Sequence, residues 1–166
     1  MPARLVPHRV GDFIFYYYAK LVIAPSAGMP GNYQFVVDRY KRLKSGEIHM
    51  SDYERELLRL ASSPDVCAYC GARTKDAVPS EVVPRALGGP IGIHNLVMAC
   101  QTCCHSKGSR DLVEWWTNGL GRDKGELPRV PAGLYLKIAY ETHKVNFTLD
   151  LECHDISQIF RPIHST

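Results

Sequence analysis

The sequence lacks any long apolar run, and it has no internal repeats and no low-complexity tracts. A helix that spans a bilayer needs roughly 20 consecutive apolar residues, and no stretch approaches that length. The N-terminus also lacks the charged-then-apolar pattern of a signal peptide. We therefore expect a protein with no membrane partner, located in the cytoplasm.

The chain also has little excess charge, with a formal net charge of +3 from 20 basic and 17 acidic residues among 166. Binding to nucleic acid would therefore depend on a local basic surface and not on overall charge. The apolar fraction of 45% is that of a soluble globular protein. The length suits one compact domain, which we divide into residues 1–64, 65–119 and 120–166.

Cysteine is the residue type with the clearest pattern, because four of the six cysteines form two Cys-x-x-Cys pairs. In a reducing compartment such pairs are typical of metal ligands and not of disulfides. The pairs are Cys67 with Cys70 and Cys100 with Cys103, separated by 29 residues. Four thiolates complete a closed tetrahedral zinc site. A redox protein is disfavoured, since neither pair follows a thioredoxin-like strand.

The N-terminal third predicts one strand and two helices. Residues 13–24 are aromatic and β-branched, which favours a strand. Residues 33–44 have apolar side chains at helical spacing and a basic opposite face, and Gly46 ends this helix. A second helix begins at a capping box, Ser51-x-x-Glu54, and ends at Pro64.

The C-terminal third predicts two helices and a strand. Residues 111–118 continue a helix that begins near Cys104, with Trp115 and Trp116 as core anchors. Residues 119–133 are rich in glycine and charge and predict a surface loop. Residues 134–144 predict a helix, and the alternating apolar residues of 145–151 predict a half-buried strand.

Residues 67–118, about a third of the chain, resemble the zinc-knuckle branch of the HNH (ββα-metal) endonucleases. The resemblance rests on the two Cys-x-x-Cys pairs, called the first knuckle (Cys67 and Cys70) and the second knuckle (Cys100 and Cys103). It also rests on the phrases Pro84-Arg85, Gly88-Gly89, Asn95-Leu96-Val97 and Lys107-Gly108. It implies an α+β fold in which a β-hairpin and a helix hold a catalytic divalent ion, while the four cysteines hold a structural zinc. N-terminal helices and a C-terminal extension with a helix and a strand would flank this core.

The resemblance implies metal-dependent hydrolysis of DNA phosphodiester bonds, in which a histidine activates water and an adjacent aspartate binds the metal. Thr74-Lys75-Asp76-Ala77-Val78-Pro79 is similar to the family's Thr-x-Asp-His-Val-Pro phrase. In this alignment Asp76 is a metal ligand, Asn95 orients the base, and Ala77 replaces the histidine. We hypothesise that Ala77 is an engineered substitution that inactivates the enzyme.

A second alignment counts back from Asn95 without gaps and places Ser80 and Glu81 at the Asp-His positions. In this alignment the natural protein would have lost its aspartate ligand, and Glu81 would serve as base or ligand. Both alignments remain open from the sequence.

The rest of the implied site is also open. Cys104 stands where the family has Asn or His after the second knuckle, so Cys104, His105, or neither would complete a Mg²⁺ or Mn²⁺ site with Asp76. A thiolate suits Mg²⁺ poorly. Arg85, Lys107 and Arg110 are the expected phosphate contacts.

Two functions follow from the resemblance. The first is a DNA endonuclease, for which a double-strand break made with one active site per chain would favour a homodimer. The alternative is a non-catalytic zinc module with a degenerate HNH motif that binds nucleic acid or protein.

Overall fold

The computed structural model describes residues 4–160, in which seven α-helical segments surround one small antiparallel sheet. The segments, in chain order, are α1 Val10–Tyr18, α2 Ala24–Ser26, α3 Tyr33–Ser45, α4 Glu54–Ala61, α5 Gln101–Lys107, α6 Leu112–Glu114 and α7 Arg129–Val145. The strands are β1 Val78–Glu81 and β2 Leu96–Ala99. The expected mixture of helices and strands is confirmed. No helix in the described part of the chain has the length and apolar content required to cross a membrane.

The prediction of a strand at residues 13–24 is wrong, because α1, a π-helical turn (Ala19–Ile23) and α2 form a continuous helical segment there. The segment packs against α3 and α7 and is buried around most of its circumference. Its aromatic and β-branched composition therefore reflects burial and not strand formation. Tertiary packing overrides this propensity.

The helix predicted at residues 33–44 is confirmed as α3, and Gly46 ends it with a left-handed φ of 79°. The predicted capping box at Ser51 is wrong. A 3-10 turn (Met50–Tyr53) precedes α4, and the carboxylate of Asp52 accepts a hydrogen bond from the His49 N–H at 2.9 Å. The capping residue is thus His49, two residues before the predicted Ser51.

The long helix predicted from Cys104 to residue 118 is interrupted. Alpha-helix α5 ends at Lys107, Gly108 takes a positive φ of 51°, and Asp111 caps the start of α6. A π-helical turn (Trp115–Gly119) follows, in which Trp115 and Trp116 are buried as predicted. The break separates α5 from the turn that carries the tryptophans, and Trp115 still bonds Ser106 of α5.

The C-terminal helix is longer than predicted, since α7 already begins at Arg129, inside the predicted loop. The strand predicted at residues 145–151 is wrong. Val145 ends α7, and Val145 and Phe147 are 76% and 95% exposed. Alternating apolar residues form a half-buried strand only where a sheet edge is available, and residues 145–151 have none within the described chain.

Candidate functional site

The four knuckle cysteines converge on one point. Their four sulfur atoms all lie within 4.8 Å of one another, and the Sγ atoms of Cys70 and Cys100 are 3.9 Å apart. Zinc bound to four thiolates at about 2.3 Å would separate them by about 3.8 Å. The first knuckle turns at Gly71, which has a φ of 73°, and the second begins α5 with Cys100 as its N-cap. The cluster is compatible with a structural zinc.

The pKa values of these thiols also favour the binding of a cation. Burial raises the pKa of Cys67, but the N–H groups of Cys70, Cys100 and Tyr69 outweigh it and lower this pKa to about 7. Burial and the neighbouring thiols raise the pKa of Cys103. One thiolate therefore forms readily, while charge repulsion and burial oppose further ones. A bound Zn²⁺ would relieve this repulsion, because thiolates are its ligands.

Beyond the knuckles, Asn95 organises the loop between the two strands. Its Oδ1 accepts a hydrogen bond from the Val83 N–H at 2.8 Å, and its Nδ2 donates to the carbonyls of Val83 at 2.8 Å and Pro90 at 2.9 Å. The side chain is fully buried. All of its bonds in this structure go to the backbone, so Asn95 shapes the loop that follows β1.

The loop also explains one glycine of the Gly-Gly phrase. A Cβ atom at position 89 would lie 1.8 Å from the Val83 carbonyl oxygen and 3.0 Å from Nδ2 of Asn95. Real Cβ atoms do not approach backbone oxygens so closely, and glycine is the residue that permits such contact. Gly89 and Asn95 therefore close the same loop from two sides.

The sheet register separates the two candidate positions for the catalytic pair. Val78 pairs with Ala99, and Glu81 pairs with Leu96, next to Asn95. Ala77 precedes β1 at the end of the hairpin that carries the four cysteines, and the exposed Asp76 donates its N–H to the hydroxyl of Thr74 at 3.3 Å. Four residues of strand span about 13 Å. Asn95 is thus close to Glu81 and remote from Ala77.

Glu81 lies in an open cleft of about 530 Å³ between the hairpin and the end of α5, beside Pro84, Arg85 and Ser109. Its Oε1 is 3.3 Å from Nε of Arg85. Its Oε2 is shielded from solvent and, among the described residues, has no hydrogen-bond partner. This carboxylate therefore has one neutralised oxygen and one free acceptor.

Lys107 reaches the same residue from α5. Its Nζ donates to the Glu81 carbonyl oxygen at 3.0 Å, and the residue is only 1% exposed. Burial lowers the pKa of Lys107 to about 8, although Asp111, Cys104 and Glu81 oppose the shift. The expected role of Lys107 as a phosphate contact is corrected, because its ammonium is committed inside the protein, where it ties α5 to β1.

Cys104 and His105 occupy different environments. The Sγ of Cys104 is 4.0 Å from the Val78 carbonyl oxygen, and burial raises the pKa of this thiol while Ser80 opposes the rise. His105 is exposed on α5. Within residues 4–160, only the four knuckle cysteines form a group of three or more cysteine, histidine or carboxylate ligands at metal-binding distance. Asp76, Cys104 and His105 are not brought together in such a group.

The remaining basic residues differ in exposure and in their acidic partners. The Arg85 side chain is 66% exposed, and Arg110 lies exposed with its guanidinium over Gly119. On α3, Asp38 pairs with Arg39 at 2.7 Å and with Arg42 at 3.0 Å. The basic face of α3 is therefore partly neutralised, whereas Arg85 and Arg110 present exposed guanidinium groups.

Sequence reasoning missed two residues that support the site. The Tyr69 hydroxyl is 3.1 Å from Oγ of Ser80, and its ring meets Trp115 edge-on at 5.2 Å. Asp111 accepts from the N–H groups of Val113 and Glu114 and from the Tyr135 hydroxyl. The Asp111-x-x-Glu114 spacing resembles a capping signal from which this helix start could have been found, whereas nothing in the sequence indicated the pairing of Tyr69.

The comparisons with known proteins give no further assignment. No family model, no curated protein and no solved structure matches this chain.

Proposed function

We propose that this protein is a zinc-stabilised nuclease of the HNH type that hydrolyses phosphodiester bonds in DNA. The observation that carries the proposal is the position of Asn95, whose side chain closes the loop directly after Glu81. Strand, clamped loop, strand and helix follow one another in the order that the resemblance implies. The zinc site would fix the other end of the same hairpin.

The geometry favours the ungapped alignment, in which Ser80 and Glu81 stand at the Asp-His positions. Glu81 would act as the general base, because the residue lines the cleft and its Oε2 has no hydrogen-bond partner among the described residues. Oε2 is shielded from solvent in this structure, so the carboxylate would turn toward the cleft to accept a proton from water. Arg85 would hold the phosphate, and Asn95 would act as a positioning residue through the loop. Ala77 has no part in this arrangement, which therefore does not require an engineered inactive form.

Plasmid cleavage by wild type, Glu81→Gln and Ala77→His tests the proposal. We expect the wild type to nick or linearise the plasmid and Glu81→Gln to lose about 100-fold or more in rate, the usual contribution of a general base. Ala77→His should cleave no faster than wild type. Cleavage only by Ala77→His would contradict the proposal and restore the alignment through Asp76.

A second candidate function is a non-catalytic zinc module that binds nucleic acid. It is favoured by Ser80, Glu81 and Cys104, which stand where the resembled family has metal-binding or catalytic residues. The described residues contain no second group of metal ligands. In this case the wild type would bind DNA with salt-dependent affinity, leave it intact under all conditions, and bind no more weakly when Glu81 is changed to Gln.

A further inference from the structure

The resemblance implies a divalent ion in the catalytic cleft, and the donor atoms around Glu81 do not suit one. Mg²⁺ is held by carboxylates, carbonyls, waters and substrate phosphates in octahedral geometry. Glu81 brings one free carboxylate oxygen, the Ser80 hydroxyl is bonded to Tyr69, and Cys104 is a soft ligand. The cleft thus offers one hard anionic donor.

The charges near that donor are already balanced. Arg85 contacts the Glu81 carboxylate, and the buried ammonium of Lys107 contacts the carbonyl of the same residue. The other nearby acid is Asp111, whose oxygens accept bonds from two α6 N–H groups and from Tyr135. The two carboxylates are therefore balanced by the two cations, Arg85 and Lys107. No excess negative charge remains to hold a divalent cation.

The two cations are also placed differently. Lys107 is inaccessible and fixes the backbone of Glu81 from within, while the Arg85 side chain is 66% exposed at the mouth of the cleft. An exposed guanidinium presents donors in a fork that matches phosphate oxygens. Arg85 can therefore change its partner from Glu81 to an incoming phosphate, a change that would free the Glu81 carboxylate.

We propose that the cleft takes no divalent ion and that Arg85, supported by the charge of Lys107, stabilises the phosphate in its place. This inference rests on the proposed nuclease function. Glu81 removes a proton from a water molecule, and the water oxygen forms a bond to phosphorus. The bond between phosphorus and the leaving sugar oxygen breaks, and the proton passes from Glu81 to that oxygen.

The test uses full-length protein that carries one zinc per chain, in buffer stripped of other metals. Plasmid cleavage is measured without added metal and with Mg²⁺ or Mn²⁺, and Mn²⁺ binding to the protein is measured separately by electron paramagnetic resonance. We expect equal cleavage rates with and without added ions and no Mn²⁺ bound at millimolar concentrations. Arg85→Gln should reduce the rate by about 100-fold, the usual cost of losing a transition-state donor.

The control variant is Arg42→Gln, since Arg42 lies on α3, outside the cleft, and pairs with Asp38 and Glu47. It should cleave at the wild-type rate. Cleavage that appears only with Mg²⁺ or Mn²⁺, or a bound Mn²⁺ that Glu81→Gln abolishes, would overturn the inference and leave the nuclease proposal intact. Absence of cleavage under every condition would refute the nuclease proposal and with it this mechanism, and Mn²⁺ binding would still decide whether the cleft takes an ion.

Discussion

The helical body and the hairpin segment of this protein are held together by different forces. The helical body, formed by α1, α3, α4 and α7, buries large apolar side chains such as Ile14, Tyr18, Leu57 and Leu136. The hairpin segment, residues 65–110, has two four-residue strands and relies on four thiols, Asn95 and Lys107. A two-stranded hairpin alone is marginally stable. The hairpin segment therefore depends on specific polar contacts and on its cysteine cluster, whereas the helical body depends on packed area.

This difference has a consequence for substitution. A packed core tolerates volume-conserving changes, whereas a metal ligand or a buried amide that bonds the backbone has no close replacement. The hairpin segment should thus be the more sensitive of the two to single polar changes. Five measurements test this contrast, beginning with the largest expected effect.

Loss of a zinc ligand should have the largest effect. Cys103→Ser should abolish stoichiometric zinc and unfold the hairpin segment, because the binding free energy of a structural zinc, about 10–16 kcal/mol, is folding free energy. Most of the helical circular dichroism should remain. Cys104→Ser is the matched control, since Cys104 is adjacent to Cys103 and lies outside the cluster. Equal zinc loss in both variants would contradict the assignment.

Truncation of Trp115 should have the next largest effect, because this fully buried side chain holds the hairpin segment to the π-helical turn that follows α6. Its Nε1 donates to the Ser106 hydroxyl on α5 at 3.0 Å, and its ring contacts Tyr69. Trp115→Ala should lower the free energy of unfolding by about 3–5 kcal/mol. Urea unfolding followed by circular dichroism and by zinc release should then give two midpoints, where wild type gives one.

Asn95→Ala should destabilise the loop by about 3 kcal/mol, since it leaves the N–H and the carbonyl of Val83 buried without partners. Urea unfolding measures the change. His94→Ala is the control. His94 is 61% exposed and contacts Glu54 at 2.7 Å, and such surface pairs contribute about 1 kcal/mol or less. A comparable loss in both variants would show that Asn95 has no special role.

Acidification should weaken the helical body through His143. This residue is fully buried on α7, where Nδ1 bonds the Thr148 hydroxyl and Nε2 bonds the Ile159 carbonyl. Burial lowers the pKa of His143, although the Ile159 carbonyl opposes the shift. An unfolded histidine takes up its proton near pH 6.5. Below that value the unfolded state binds more protons, so the free energy of unfolding should fall as the pH decreases.

Urea unfolding of wild type and His143→Gln at pH 7.5 and pH 5.5, followed by helical circular dichroism, measures this effect. The variant should lose less stability on acidification than wild type. His105→Gln, a change on the exposed surface of α5, should keep the wild-type pH dependence. An identical pH dependence in wild type and His143→Gln would exclude His143 as the cause.

Disruption of the Glu81 and Arg85 pair should have the smallest effect on stability. The Arg85 side chain is 66% exposed, and surface pairs of this kind contribute about 1 kcal/mol or less. Arg85→Gln should therefore unfold at nearly the wild-type urea concentration while its cleavage rate falls. A large loss of stability would mean that Arg85 is structural and would weaken its proposed catalytic role.

The sequence by itself determined the parts of the molecule that depend on particular residue types. Two Cys-x-x-Cys pairs predicted the thiol cluster, and Gly46 predicted the end of α3. Each of these rests on local chemistry, namely four thiols in two turns or a positive φ. Such signals depend little on the rest of the chain.

Only the tertiary structure decided which apolar segments are helices and which acidic residue belongs to the cleft. Residues 13–24 form a helix because α3 and α7 bury it, and residues 145–151 form no strand because, within residues 4–160, no sheet edge lies beside them. The register of β1 and β2 put Glu81 beside Asn95 and put Ala77 at the cysteine end of the hairpin. Pairing between distant segments sets these features, and no pattern within a single segment contains that information.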